Sequence, residues 1–312
     1  MEDAPLAYRP RRAAQAALEP VRGLRYHLLH WGSAALAAPA RPTLVLLHGW
    51  MDVGASFQFL VDALAAVEGP LRHAVALDWR GFGGTEGGAA DHYAFNDYLG
   101  DLDALLDRLA PGARVDLLGH SMGGNVAMLY AGLRPERVRR LVNLEGFGVP
   151  EVPPEDTPAR LVRWLDELKA PQRLRPYESA AAVADRLRRN DPWLPADRAA
   201  WLALHWSAPG ADGRWHLRAD PAHKRVGPTV ARRAETLEAW RRIRAPLLWI
   251  ESGNTDVEKW WEGRFRRSDF ESRLAAVPDV ERHRLGDCGH MLHHDRPEAL
   301  AELVAAFLRR AG

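Results

Sequence analysis

Six short apolar runs alternate with helix-patterned segments along this chain, and they set what it can fold into. They are PTLVLLHG (42–49), RHAVALDWRG (72–81), RVDLLGHS (114–121), VRRLVNLEG (138–146), PLLWIESG (246–253) and VERHRLGD (280–287). Runs this short, flanked by glycine and turn residues, read as buried strands. Between them, Phe95, Tyr98, Leu99, Leu102, Leu105, Leu106 and Leu109 form one apolar stripe at helical spacing. Asp97, Asp101 and Asp107 are expected on its wet face, and Asp101, Asp103 and Asp107 are read as that face rather than as a metal cluster. Residues 296–310 predict a closing helix with Pro297 in its first turn. Such alternation predicts an α/β fold, a mostly parallel sheet with helices on both faces.

The rhythm breaks once, between Pro150 and Arg233, where prolines are dense and no run reads as a strand. Ser179 is placed to cap a helix through Arg188, which Asn190-Asp191-Pro192 would end. Residues 195–206 predict a second helix with Trp201, Leu204 and His205 on one face. The expected organisation is a core of residues 1–149 and 234–312, with 150–233 inserted as a helical cap over the sheet's working edge. A chain of 312 residues is long enough for both.

Charge narrows the function classes. Lys plus Arg total 42 against 41 for Asp plus Glu, so no net field draws in nucleic acid or an acidic membrane. The doublets Arg139-Arg140, Arg188-Arg189 and Arg309-Arg310 are read as solvated helix surface. The single cysteine, Cys288, excludes an internal disulfide and is expected to pack beside a loop. The first twenty residues do not read as a signal peptide, and no stretch approaches a membrane span. The expectation is a cytoplasmic protein with a small-molecule substrate, no membrane partner and no cofactor. Oligomeric state is not legible here.

Gly119-His120-Ser121-Met122-Gly123 joins a strand to a helix. A serine at the tip of so sharp a turn excludes side chains two residues either way, which explains the glycines. Its hydroxyl becomes a nucleophile only beside a base that an acid orients. In this architecture the order is serine, acid, histidine, each after a strand. His290, directly after Gly289, is the expected base. His293 and His294 are expected in solvent-facing or helix-start roles, and a metal site built on the three histidines is disfavoured for want of carboxylate partners. Asp256, three residues past Gly253, is the expected acid, and Glu145 at the end of VRRLVNLEG is the alternative. Backbone N–H groups of Met122 and Trp50 are the candidate oxyanion donors. His48 is read as structural.

The segments LHGW, LDWRGFGGTE, GHSMGG and GHMLHHDRPE resemble the α/β-hydrolase superfamily over nearly the whole chain. LLHGWMDVGASFQFLVDAL (46–64) is particularly similar to its serine hydrolase-like subgroup. The resemblance implies an eight-stranded sheet, a cap between the sixth and seventh strands, and a triad of Ser121, His290 and an acid. Asp78, Arg80, Gly81 and Gly83 match the family's architectural D-x-R-G-x-G turn, with Thr85 where serine is commoner. A serine at the elbow argues against the aspartate-dependent chemistry of epoxide hydrolases and haloalkane dehalogenases. The expectation is a cofactor-independent carboxylic-ester hydrolase for a small or medium apolar acyl group. Carbon–carbon bond hydrolase, lactonase or perhydrolase chemistry, or ligand binding without turnover, are the alternatives. Of the tryptophans, one or two besides Trp50 are expected to meet substrate and the others to pack the cap.

Overall fold

The computed structural model describes residues 7–69, 72–170, 172–230 and 232–310. Residues 1–6, part of the stretch read for a signal peptide, lie outside the described residues. In chain order the strands are β1 (Gln15–Val21), β2 (Leu24–Trp31), β3 (Leu44–Leu47), β4 (Ala74–Leu77), β5 (Val115–His120), β6 (Val138–Leu144), β7 (Ser207–Pro209), β8 (Trp215–Leu217), β9 (Leu247–Ser252) and β10 (Val280–Leu285). The helices are α1 (Gln58–Glu68), α2 (Phe95–Leu109), α3 (Met122–Leu133), α4 (Thr157–Lys169), α5 (Ala180–Asn190), α6 (Ala196–Trp206), α7 (Arg233–Arg241), α8 (Val257–Trp260), α9 (Arg267–Leu274), α10 (Leu292–Asp295) and α11 (Pro297–Arg309).

Eight strands form one sheet in the order β1-β2-β4-β3-β5-β6-β9-β10. The six expected runs are its parallel strands, while β1 and β2 pair antiparallel at one edge. That hairpin has no apolar run to announce it: β1 is mostly exposed, and Pro20 is tolerated because the strand lies at the edge. Its turn is Arg22-Gly23, both at positive φ (46° and 82°), the geometry that tightly twisted two-residue hairpins require.

Side chains alternate across the sheet and build two cores. Val45, Leu47, Val75, Leu77 and Leu117 face α2 and α3, whereas Leu44, Leu46, Ala76, Leu118 and Ile250 face α1 and α11. The chain order reverses about β3, which lies between β4 and β5. In open α/β sheets ligands bind beyond the carboxyl ends of the strands at such a switch point.

Between β6 and β9 run α4 to α7 and a small hairpin, β7–β8. The hairpin corrects the strand-free reading of this block; its three-residue strands are too short to show a period. Ser179 caps α5 as expected, its Oγ accepting from the Ala182 amide at 3.1 Å. On α6, Trp201 is buried against Val53, Ala55 and Phe59, but Leu204 faces solvent.

Two charge readings are also corrected. Asp101 is fully buried: it accepts from Arg80 Nε and Nη2, both at 2.6 Å, from Arg22 at 3.0 Å and from the Tyr26 hydroxyl. It lies at the edge of the apolar stripe, where the Arg80 turn supplies the countercharge that a buried carboxylate needs. Arg139 and Arg140 lie on β6 rather than on a helix. Arg139 holds Asp116 at 2.9 and 2.6 Å, and Arg140 is buried.

Candidate active site

The elbow is a strained, tightly fitted turn. Ser121 sits between β5 and α3 at φ 51°, ψ −115°, a conformation costing about 1–3 kcal/mol that persists only when its surroundings enforce it. Here the Ser121 amide donates to Leu144 O at 2.8 Å and the Ser121 carbonyl accepts from Asn125 at 3.0 Å. A side chain at Gly119 would run into the backbone of Gly123, and one at Gly123 into the carbonyl of Leu47. Both glycines are therefore steric requirements of the turn. Met122 opens α3, so its amide is among those a helix leaves without an intrahelical acceptor.

His290 lies in the loop between β10 and α10, and its acid partner is Glu145. Nδ1 of His290 is 2.7 Å from Glu145 Oε2. The same carboxylate, fully buried, accepts from the Ser252 amide at 2.6 Å and from the Thr255 hydroxyl at 2.7 Å. Asp256, the expected acid, is exposed, and its Oδ1 accepts from the Lys259 amide at 3.0 Å to cap α8. The correction has a backbone cause. Glu145 leaves β6 at φ 56° and is held between β6 and β9 by its own amide on Ile250 O at 3.1 Å. At the end of β9 it is the Ser252 amide, and past it the Thr255 hydroxyl, that meet Glu145.

Behind the elbow lies a histidine cluster that the sequence did not announce. His120 Nε2 is 2.9 Å from the His290 carbonyl oxygen, and the two rings are 4.5 Å apart. This ties the residue before Ser121 to the loop carrying His290. Burial first, then the neighbouring histidines, lowers the His120 pKa well below the usual imidazole value, so the ring is neutral and Nε2–H is the donor. His293 and His294 lie in the short helix α10, in keeping with the helix-start alternative, but they are buried rather than solvent-facing. His293 stacks on Phe57 and His294 meets Phe59 edge-on. His293 Nε2 lies 3.2 Å from Ser56 Oγ and 3.5 Å from Asp52 Oδ2. Burial alone would raise the Asp52 carboxyl, but His293 and its neighbours hold it at about 2. Among the described residues, Asp52, His120 and His293 are the group whose possible ligand atoms fall within 4.8 Å of one another. Two of their ring nitrogens are already committed to these hydrogen bonds.

His48 is structural in its contacts: Nδ1 meets the Gly49 carbonyl at 2.7 Å and Nε2 accepts from the Trp79 amide at 2.9 Å. Asp78 braces the adjoining turn through the Gly54 and Gly84 amides at 2.6 and 2.8 Å, and Thr85 Oγ1 donates to the Asp78 carbonyl at 2.7 Å. Cys288 is fully buried, its thiol pushed up to about 11 by burial.

Two indoles stand at the His290 loop, and a third lies in the loop after β3, whose Gly49 approaches Ser121. Trp260 meets the imidazole edge-on at 4.2 Å and remains 47% exposed. Trp193 borders Gly289, and Trp50, 53% exposed, rises from the loop after β3. A water-sized cleft between that loop and the helical segment is lined by Met51, Val53, Phe82, Trp206 and Leu217 together with the charged Asp52 and Arg218.

The profile of the alpha/beta hydrolase family matches residues 44–303. The chain belongs to that family. This α/β hydrolase is 27% identical over 290 residues to the sn-1-specific diacylglycerol lipase ABHD11 of Mus musculus, covering 91% of this chain and 85% of the relative. It is likewise 27% identical to a serine hydrolase-like protein of Danio rerio, covering 96% and 90% of the two chains. These matches put it in the serine hydrolase-like subgroup. A thioesterase domain from the curacin biosynthetic pathway superposes with a TM-score of 0.80 at 24% identity, covering 94% of this chain and 99% of that one, and shares the fold. Family membership makes the protein a hydrolase with a small-molecule substrate. Among the described residues, no helix is long and apolar enough to cross a membrane.

Proposed function

We propose that this α/β hydrolase cleaves carboxylic esters through Ser121, His290 and Glu145. One observation carries the reading: the 2.7 Å contact between Glu145 and His290 Nδ1, in a loop tied to the residue preceding the strained serine. A carboxylate at Nδ1 selects the tautomer whose Nε2 is an acceptor. Nε2 then takes the proton of Ser121 as Oγ attacks the ester carbonyl, and Glu145 stabilises the resulting imidazolium. The amides of Met122 and Trp50 meet the oxyanion, each donor contributing roughly 10²–10³ in rate. Collapse expels the alcohol, protonated by His290, and leaves an acyl-Ser121 ester. Water, deprotonated by the same nitrogen, attacks this ester and restores the serine.

The helical segment 150–233 acts as a cap over this site. The exposed indoles of Trp50, Trp193 and Trp260 suit a small or medium apolar acyl or alcohol group, aromatic side chains offering large apolar surface. The test is fluorophosphonate labelling of wild type and Ser121→Ala beside hydrolysis of p-nitrophenyl esters of increasing acyl length. Labelling and turnover are both expected in wild type and absent from the variant. Folded wild type that shows neither overturns the reading in favour of ligand binding without turnover.

A further inference from the structure

Two carboxyls outside the proposed triad face each other where the cap meets the His290 loop. Asp191 ends α5 in the cap, and its Oδ1 accepts from the Trp193 amide at 3.2 Å. Asp295 ends α10 in the core, and its Oδ2 accepts from the amide of Gly289, the residue before His290, at 2.8 Å. A Cβ built on Gly289 would lie 3.5 Å from Asp191 Oδ1 and 3.7 Å from Asp295 Oδ2, so both carboxyls converge on one glycine. The remaining oxygens, Asp191 Oδ2 and Asp295 Oδ1, are shut off from solvent and meet no N–H or hydroxyl among the described residues. Each carboxyl acts on the other's titration, and a proton held between them satisfies both orphaned oxygens and removes the repulsion of two buried carboxylates.

We propose that Asp191 and Asp295 form a proton-sharing latch that pins the cap to the His290 loop, with Asp295 as a positioning residue for the base. The surroundings leave the proton as the pair's own neutraliser. Arg198 of α6, the cation that acts on Asp295, spends its guanidinium on the carbonyls of His294 at 2.6 Å and Asp295 at 3.4 Å and on Glu298 at 3.1 Å, none of it on the Asp295 carboxyl. Arg296 pairs with Asp287, and Arg188 and Arg189 of α5 are exposed. Facing the pair from the core are His290 and His293, with His294 beside Asp295 on α10 and the buried Cys288 thiol behind Gly289. Burial, then the facing Asp191, pushes the Asp295 carboxyl up to about 8, and burial raises that of Asp191.

The sign follows. With a folded pKa above the unfolded one, the native pair binds more protons than the unfolded chain. Its contribution to stability is complete below the ordinary carboxyl pKa and is lost as pH rises through about 8. Above that pH two buried carboxylates push the cap and loop apart, and His290 loses its register.

The experiment compares wild type, Asp295→Asn, Asp191→Asn and Asp295→Ala. An asparagine keeps the backbone amide's acceptor and puts an N–H where the shared proton lies. Wild-type kcat, which rests on the esterase reading, is expected to fall at least about fivefold between neutral and strongly alkaline pH, with either Asn variant flattening that limb. Asp295→Ala is expected to lose about tenfold at neutral pH, because the Gly289 amide loses its acceptor. The second readout needs no turnover: wild-type Tm should drop about 3 °C further than that of Asp295→Asn across the same range. The latch is overturned if both Asn variants keep the wild-type alkaline limb and Tm loss, or if Asp295→Asn is as impaired at neutral pH as Asp295→Ala. If wild type hydrolyses no ester, the esterase reading fails by itself, and the Tm comparison alone decides the latch.

Discussion

Two strand ends offer a carboxylate to the top of the sheet, and they are built in opposite ways. After β6 the chain turns at once: Glu145 takes a left-handed backbone, its carboxylate is fully buried, and it is held by Ser252, Thr255 and His290. After β9 the chain runs on for three residues before Asp256, which faces water and caps a one-turn helix. A buried carboxylate is tolerable only when its oxygens are matched by donors, and a buried, fixed carboxylate is what can hold an imidazole in one tautomer. Which of two carboxylates serves a histidine therefore depends on the backbone that follows each strand.

The contrast can be broken by mutation, and the largest effect belongs at Glu145. Glu145→Gln still accepts from Ser252 but presents an N–H to His290 and favours the wrong tautomer. A kcat loss of about 10³–10⁴ on a p-nitrophenyl ester is expected, with far-UV circular dichroism unchanged. A loss below about tenfold would remove Glu145 from the triad. Next is Thr255→Val, which deletes one donor to the same carboxylate. Loss of one hydrogen bond to a charged group is worth about 1.5 kcal/mol, so kcat should drop roughly tenfold with KM little changed. The smallest effect belongs to Asp256→Asn, where kcat should stay within about twofold, asparagine being as good an N-cap as aspartate. Should Asp256→Asn cripple turnover while Glu145→Gln does not, the comparison is reversed.

Legibility followed the range of the interactions. The parallel strands β3, β4, β5 and β9 could be read because full burial makes each a short apolar run, and α2 because one-sided burial writes a period into neighbouring residues. The edge hairpin β1–β2 could not, since an exposed strand with a proline has no apolar run. Asp101 looked solvated because its partners, Arg80, Arg22 and Tyr26, are far away in sequence and arrive by way of the sheet. His293 and His294 looked exposed for a related reason: what buries them is Phe57, Phe59 and Asp52 from the other end of the chain. His120 stood inside the elbow motif, yet nothing local marked its bond to the His290 carbonyl.

The elbow itself was determined by sequence alone. Its demands are steric and fall within five consecutive residues, where two glycines clear the space that Ser121 needs. Which carboxylate meets His290 was decided only by tertiary structure. Glu145 and His290 are separated by 145 positions, and both carboxylates considered follow a parallel strand in the expected order. Only the packing of β6 against β9, and the handedness of one residue's backbone, brings one of them to the imidazole and turns the other to water.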